Sequence, residues 1–388
     1  MKEEIKAQLI HLFNSSVDAV AGPAATQSHL DRLLLEDNNF RPDLILSIGK
    51  AASGMCAGAL SALEAHKQLT APALLITKYQ HTDQTMRDHP RVTTLEAAHP
   101  VPDHHSLYAG AQALQRVADL PLNSQLLLLV SGGTSSLTEI LPPETSLEQW
   151  QQLTHTMLSS GFSISQINTR RKQISLIKDG KLLQAFKGTK ANVLAISDVQ
   201  GDDIAVIGSG TGDTKHIGNR GAIHLIGTNQ VARHRAAALA KESGLKVLVN
   251  SECMYQDVSL VAQQIGDTLK RAANTAERGV YIFGGEPTVN LPENPGSGGR
   301  NQSLALALAI HIQGLANVNI LVAGTDGSDG PTDAAGGIVD GTTANDIKAA
   351  TLALSRADAG TYLRSSGDIF ITGPTNTNVM DIVIAIVD

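Results

Sequence analysis

The sequence predicts an α/β protein of two α/β domains, the first Rossmann-like with a mostly parallel sheet, with the active site in the interdomain cleft. Three observations lead there. Apolar runs bounded by turn residues alternate with segments of helical period, as βαβ units do. Several runs are apolar at every position, as strands covered on both faces are. The 388 residues exceed one ordinary domain, and with only 3% aromatic residues the core must be built from Leu, Ile, Val and Ala.

Taken in order, Ile5, Leu9, Leu12, Phe13 and Val17 form the apolar stripe of a first helix, without a signal peptide's continuous apolar core. Strands are expected at Asp43–Ile48, Ala73–Thr77, Gln125–Val130, Asn192–Ile196 and Ala222–Gly227. A second series follows at Leu245–Asn250, Val280–Phe283, Val318–Ala323, Asp368–Ile371 and Ile382–Val387. Helices fall between them at Ala51–Lys67, Ser106–Asp119, Gln230–Glu242, Val258–Ala276 and Gln302–Gln313. Thr145 followed by Glu148 reads as a capping box. Strand–helix alternation implies largely parallel sheets. The first strand series ends near Gly227–Val231, so the boundary is drawn there: an N-terminal Rossmann-like domain over 1–230 and a C-terminal α/β domain over 231–388.

A net charge of −7 and the lack of a basic face exclude a nucleic-acid binder. No stretch approaches the ~18 apolar residues of a membrane span. Cys56 and Cys253 stand far apart and form no metal-like pair, which fits a reducing compartment. The expectation is a cytoplasmic enzyme with a small-molecule substrate and no membrane or nucleic-acid partner.

The informative positions are turns of Gly, Ser, Thr and Asp that follow the apolar runs, where α/β proteins bind ligands. Lys50 follows the first strand at a helix start, placed to meet an anion. It belongs to no Walker A loop, because the upstream glycine and following hydroxyl residue are missing. Ser131-Gly132-Gly133-Thr134 offers backbone amides and hydroxyls to a carboxylate or phosphate. Asp198, beside a glycine-rich stretch over 208–212, suits magnesium or proton handling. Gly284-Gly285-Glu286 ends another strand, and Arg300 opens a helix among glycines, as a bidentate clamp would. Asp326, Asp329 and Asp333, separated by small residues, look like oxygen ligands for a hard cation, and Thr375-Asn376 lies in a similar turn. Arg170, Arg171 and Lys172, then Lys178 and Lys181, form either a solvated face or a contact for an acidic substrate. His99, His104 and His105 lie in a proline-bounded loop without metalloprotease spacing and are not read as metal ligands; Cys56, Trp150 and Met157 read as core.

These groups together suit phosphoryl transfer, which needs charge neutralisation more than a covalent residue. A dehydrogenase would need GxGxxG after an early strand. The first strand leads instead to Gly49–Gly54, and the Gly208/Gly210/Gly212 set has Asp213 where the last glycine should fall. A non-catalytic binding protein would not need the three aspartates in addition to Lys50 and Arg300.

The segments SIGKAASGM, AAHPVPDHHS, VSGGTSSL, INTRRKQISLIKDGKL, AISDVQGDD, GGEPTV, GGRNQSLALALA, GTDGSDGPTDAAG and GPTNTNVMDI occur in the order found in class II glycerate kinases, the glycerate 2-kinases with a leucine-rich C-terminal (MOFRL) region. The chain resembles that family from Lys50 to Asp381. The resemblance implies transfer of phosphate from ATP to D-glycerate with Mg²⁺, giving 2-phosphoglycerate. It implies that Lys50 and Arg300 carry the positive charges of the site, with Asp198 nearby. Departures surround those residues: SGGTSSLT stands for the family's SGGGSALL, Gln173-Ile174 replaces His-Leu, Asp179 replaces a glycine and Thr211 a proline. A related small hydroxy acid is therefore an alternative substrate, and an NAD(P)H-dependent hydroxypyruvate reductase, a label some relatives carry, is the alternative reaction.

On this reading Lys50, Arg300 and Asp198 are catalytic, and Asp326, Asp329 and Asp333 hold the metal. Ser131, Gly132, Gly133, Thr134, Arg170, Gly284, Gly285, Glu286, Thr375 and Asn376 bind substrate or phosphate. A homodimer is the assembly considered.

Overall fold

The computed structural model describes every residue except 38, 69, 160–163 and 276. The chain folds as two compact units, one of Val20–Thr228 and one of Met1–Ala19 with Asn229–Asp388.

The first unit is built on β1 (Leu44–Ile48), β2 (Ala73–Lys78), β3 (Val92–Ala97), β4 (Gln125–Val130), β5 (Lys190–Ile196) and β6 (Gly221–Gly227). All pair in parallel, in the order β3-β2-β1-β4-β5-β6. This is a doubly wound sheet whose direction of winding reverses between β1 and β4. Side chains alternate across β1, as strand geometry requires. Leu44, Leu46 and Ile48 join Ala109, Ala113 and Val117 of the helix His104–Ala118 in one core. Ser47 donates to the Ala52 carbonyl at 2.8 Å, at the start of the helix Ala52–Ala65. β3 was not expected: Thr93, Thr94 and Glu96 interrupt its apolar pattern, because it is an edge strand.

The second unit contains β7 (Val247–Met254), β8 (Gly279–Gly285), β9 (Val318–Gly324), β10 (Gly336–Asp340), β11 (Ile369–Phe370) and β12 (Asp381–Val387). Their order is β11-β10-β9-β12-β8-β7. Here the expectation of a largely parallel sheet is corrected, since only β7 and β8 run parallel. No helix bridges β9 and β10, so the chain turns back on itself, and β12 enters antiparallel between β8 and β9. β10 also escaped the sequence reading, because its opening Gly336-Gly337 reads as turn. The helix Arg300–His311 is buried from Asn301 to Ala309 and feeds the core of this unit.

Residues 1–19, drawn above into the first domain, fold with the second unit. Within the helix Glu3–Val20, Phe13 packs edge-to-face on Phe370 at 5.5 Å, and Ser15 accepts from Arg235 Nε at 2.9 Å. An apolar stripe predicts a helix; it does not say which core the helix covers.

The capping box sits one residue later than expected. Ser146 N donates to Gln149 Oε1 at 2.9 Å and Gln149 N to Ser146 Oγ at 3.2 Å, ahead of the helix Leu147–Ser159. The helix expected over 258–276 spans Val258–Thr275, and Ala276 lies outside the described residues. Cys56, Trp150 and Met157 are buried, and burial pushes the Cys56 thiol up to about 12.

Candidate active site

The turns after β1 and β4 open at the carboxyl edge where the winding reverses, the position at which doubly wound folds take ligands. They are laced together. Ser131 N donates to the Ile48 carbonyl at 3.0 Å, and Lys50 N to that of Gly132 at 2.9 Å. Ala51 N donates to Ser131 Oγ at 3.1 Å. The Thr134 hydroxyl, expected to meet a ligand, is committed to the Ile48 and Ser131 carbonyls at 3.0 and 2.7 Å. Among the described residues the Gly132 and Gly133 amides donate to no backbone carbonyl.

Glycine at position 132 lets Asp198 approach from the end of β5. A methyl group there would lie 2.0 Å from Asp198 Oδ2 and 2.7 Å from Cγ. Beside Gly133 run the Lys50 stem and the His99 ring, whose Cγ and Cδ2 lie 3.1 and 3.2 Å from where a Cβ would stand. The structure thus brings Lys50, Asp198 and the 131–134 turn together, and adds His99.

Burial, then the charges of Lys50, Lys78 and Arg171, push His99 down to about 4. A histidine depressed from 6.5 to about 4 adds stability that is complete above 6.5 and fades as pH falls toward 4. Titration by NMR should place the His99 ring midpoint near 4, and Lys50→Ala should raise it. A midpoint unmoved by Lys50→Ala would separate the two side chains.

The basic stretch divides into distinct roles. Arg170, expected to bind substrate, is exposed and reaches Gln173 Oε1 at 3.3 Å. Its neighbour Arg171 reaches Ser135 Oγ at 3.4 Å, in a chain that continues to Ser209 Oγ at 2.7 Å and Asn168 Oδ1 at 3.0 Å. Burial lowers the proton affinity of Arg171 and Glu139 opposes the shift. Among the described residues Arg171 forms no ion pair. Lys181 closes the helix Ile164–Ile174, donating to the Lys172 and Ser175 carbonyls at 2.9 and 2.6 Å. Lys178 is fully buried against Glu139.

Among the histidines of the nearby loop, His105 meets the Tyr79 hydroxyl at 2.8 Å, and Asp103 caps the helix that begins at His104.

In the second unit, Arg300 is bracketed by carboxylates. Its Nε and Nη2 donate to Asp381 Oδ2 and Oδ1 at 2.6 and 3.1 Å, and Nη1 meets Glu286 Oε1 at 2.7 Å. Asp381 is wholly buried and also accepts from Asn301 Nδ2 at 3.0 Å. Burial pushes its carboxyl up, against the pull of Arg300. The bidentate clamp expected of Arg300 therefore exists, and its occupant is the protein's own carboxylate. Glu286 is spent on the same guanidinium. Gly284 and Gly285, expected to offer free amides, lie inside β8 between β7 and β12. There a Cβ on Gly284 would stand 1.8 Å from Asn229 Oδ1.

The three aspartates expected to hold a metal are used separately. Asp329 caps the helix at 300, accepting from Asn301 N, Gln302 N and Gln302 Nε2 at 3.0, 2.7 and 2.9 Å, and burial pushes it up to about 6. Asp333 pairs with Arg364 on the surface, and Asp326 Oδ1 accepts from Ser328 N at 2.9 Å. Among the described residues no three His, Cys, Asp or Glu side chains gather as a metal site. Thr375 donates to the Thr325 carbonyl at 2.6 Å, and Asn376 takes a left-handed turn with φ +58°, so both shape the loop beside Asp326.

Sequence reasoning left Arg171 open between a solvated face and a substrate contact, chose Arg170 as the binding residue, and passed over His99 and Asp381. Buried Ile167 and Asn168 mark the helix face that Arg171 shares, so periodicity favoured Arg171 over Arg170. Asp381 is the one acid at the head of an otherwise apolar strand, which was its signal.

Residues 8–241 match the family model described as a domain of unknown function, DUF4147, and residues 279–381 match the MOFRL family. The D-glycerate 2-kinase of Thermotoga maritima is 35% identical to this chain, with 99% of each covered. The glycerate 2-kinase of Pyrococcus horikoshii is 32% identical, over 92% of this chain and 90% of its own length. Among solved structures, the glycerate kinase of Thermotoga maritima matches with a TM-score of 0.89 at 33% identity, over 100% of both chains.

Proposed function

The chain belongs to the glycerate kinase family that joins a DUF4147 domain to a MOFRL domain, and we propose that it transfers the γ-phosphoryl group of ATP to the 2-hydroxyl of D-glycerate, giving 2-phosphoglycerate and ADP. One observation carries the reading beyond kinship. Lys50 and Arg171, neither in an ion pair among the described residues, approach the two Gly-rich turns at the point where the sheet's winding reverses. Half-buried cations outside any ion pair among the described residues, beside amides that serve no backbone carbonyl, are a receptacle for a multiply charged anion.

In the reaction the 2-hydroxyl oxygen attacks the γ-phosphorus, the bond to the β,γ-bridging oxygen breaks, and the hydroxyl proton passes to Asp198. Lys50 and Arg171 balance charge on the phosphoryl oxygens, and the Gly132 and Gly133 amides donate to them. His99 is neutral at physiological pH, so it adds a polar ring and no charge. Magnesium enters as part of the nucleotide substrate, since this ion is commonly held by phosphates, waters and one or two carboxylates. Arg300 acts by fixing Asp381 and Glu286 in the second unit.

The reductase alternative is disfavoured by the turn after β1, where a dinucleotide fold would place its glycine fingerprint and this chain places Lys50. Free Cys56 and Cys253 fit a reducing cytoplasm, and no helix among the described residues is long and apolar enough to cross a membrane.

The test is an ADP-release assay with purified protein, D-glycerate, ATP and Mg²⁺, followed by NMR of the product. ADP with 2-phosphoglycerate is expected. Oxidation of NAD(P)H by hydroxypyruvate without ADP release would overturn the proposal, and 3-phosphoglycerate would overturn its regiochemistry.

A further inference from the structure

Arg171 meets Ser135 on the short helix just before Glu139, whose carboxylate charge acts on the guanidinium, and that carboxylate is already taken. Glu139 follows the short helix Thr134–Leu137 that carries Ser135, and its backbone is pressed against the helix His104–Ala118 at Gly110, where a Cβ would meet the Glu139 carbonyl oxygen at 2.3 Å. Its Oε2 holds Lys178 Nζ at 2.5 Å; its Oε1 accepts from the Ser175 hydroxyl and from Ile140 N at 3.0 Å. Lys178 completes its shell with the Thr138 carbonyl at 3.3 Å, and both charged side chains are fully buried.

Such a pair is a weak device for stability, because apolar side chains of similar volume often do as well. Its position suggests another use. Ser175 N donates to the Arg171 carbonyl at 2.9 Å, and Leu176 N to that of Ile140 at 2.8 Å, so the segment bearing Lys178 is tied both to the arginine's helix and to the turn bearing Glu139.

We propose that Lys178 is a positioning residue that sequesters the Glu139 carboxylate from Arg171, leaving the arginine's charge for the anionic substrate. The inference rests on the reading of Arg171 as a substrate-binding cation. Without Lys178, Glu139 has Arg171 as its alternative cation, and the guanidinium turns inward.

The experiment is a double-mutant cycle in the full chain, with KM and kcat for glycerate and MgATP measured on protein shown folded by circular dichroism. Lys178→Met should raise KM for at least one substrate about tenfold or more, the worth of one charge-assisted hydrogen bond, with a smaller change in kcat. Lys178→Met with Glu139→Gln should return KM to near the parent value, because no carboxylate is left to capture the arginine. A folded Lys178→Met with parental KM overturns the proposal, as does a folded double variant whose KM stays high.

Should Lys178→Met fail to fold, Glu139→Gln alone decides: parental KM supports sequestration, and a tenfold rise overturns it. Arg171→Ala separates the two levels. If it leaves both KM values unchanged, the reading of Arg171 falls; if it raises them while Lys178→Met does not, only the role of Lys178 falls.

Discussion

Replacing Lys50 by Ala should lower kcat/KM for glycerate phosphorylation by about 10²–10³-fold, the usual cost of removing one preorganised electrostatic contact to a transition state. Stability should hardly change. Among the described residues Lys50 forms no ion pair, and its stem lies along Gly133 at the edge of the sheet. Its loss leaves no buried partner unsatisfied. Lys50→Arg should recover only part of the rate, since a planar fork does not reproduce a compact ammonium. Steady-state kinetics and thermal unfolding on the same preparations decide the matter. Parental turnover in Lys50→Ala would remove the residue from the site.

Arg300→Ala should show the opposite balance, with a loss of stability at its centre. Among the described residues the guanidinium supplies two of the three side-chain hydrogen bonds that reach the wholly buried Asp381 carboxylate, and the Asn301 amide would remain. Stranding a buried carboxylate in this way costs about 3–5 kcal/mol, and the partial exposure of Arg300 places the expectation near the lower end. Asp381→Asn combined with Arg300→Met should regain much of that loss, because neither charge is left alone. Urea denaturation of the three proteins reads the effect directly. An unchanged midpoint in Arg300→Ala would contradict the buried-pair account.

How much of this was legible beforehand follows from what each residue contacts. Lys50, Ser131–Thr134 and Asp198 could be placed because a local pattern, an apolar strand followed by a small polar turn, fixes where they emerge. The all-parallel first sheet was legible for the same reason. The roles of Arg300, Asp329 and Asp333 were not, because each is settled by a partner distant in sequence: Asp381, the amides at 301 and 302, and Arg364. Three aspartates in one glycine-rich turn look alike on paper. Folding gives one a helix to cap, one a surface arginine and one its own loop. Thr134 shows the converse, a hydroxyl suited to a ligand but used to tie two turns together. The strand directions of the second unit were hidden too, since β12 takes its place between β8 and β9 only after both exist.

The split composition of the second unit, with residues 1–19 packed among 229–388, bears on how the protein is made. A ribosome releases the helix Glu3–Val20 well before the strand that carries Phe370. Until that strand emerges Phe13 lacks its Phe370 partner, while the intervening Val20–Thr228 unit already has its complete sheet. The equilibrium penalty for so long a closure grows only logarithmically with its length. The kinetic penalty is an oily nascent segment waiting for its match, and that is where a chaperone, or an aggregate, would first take hold.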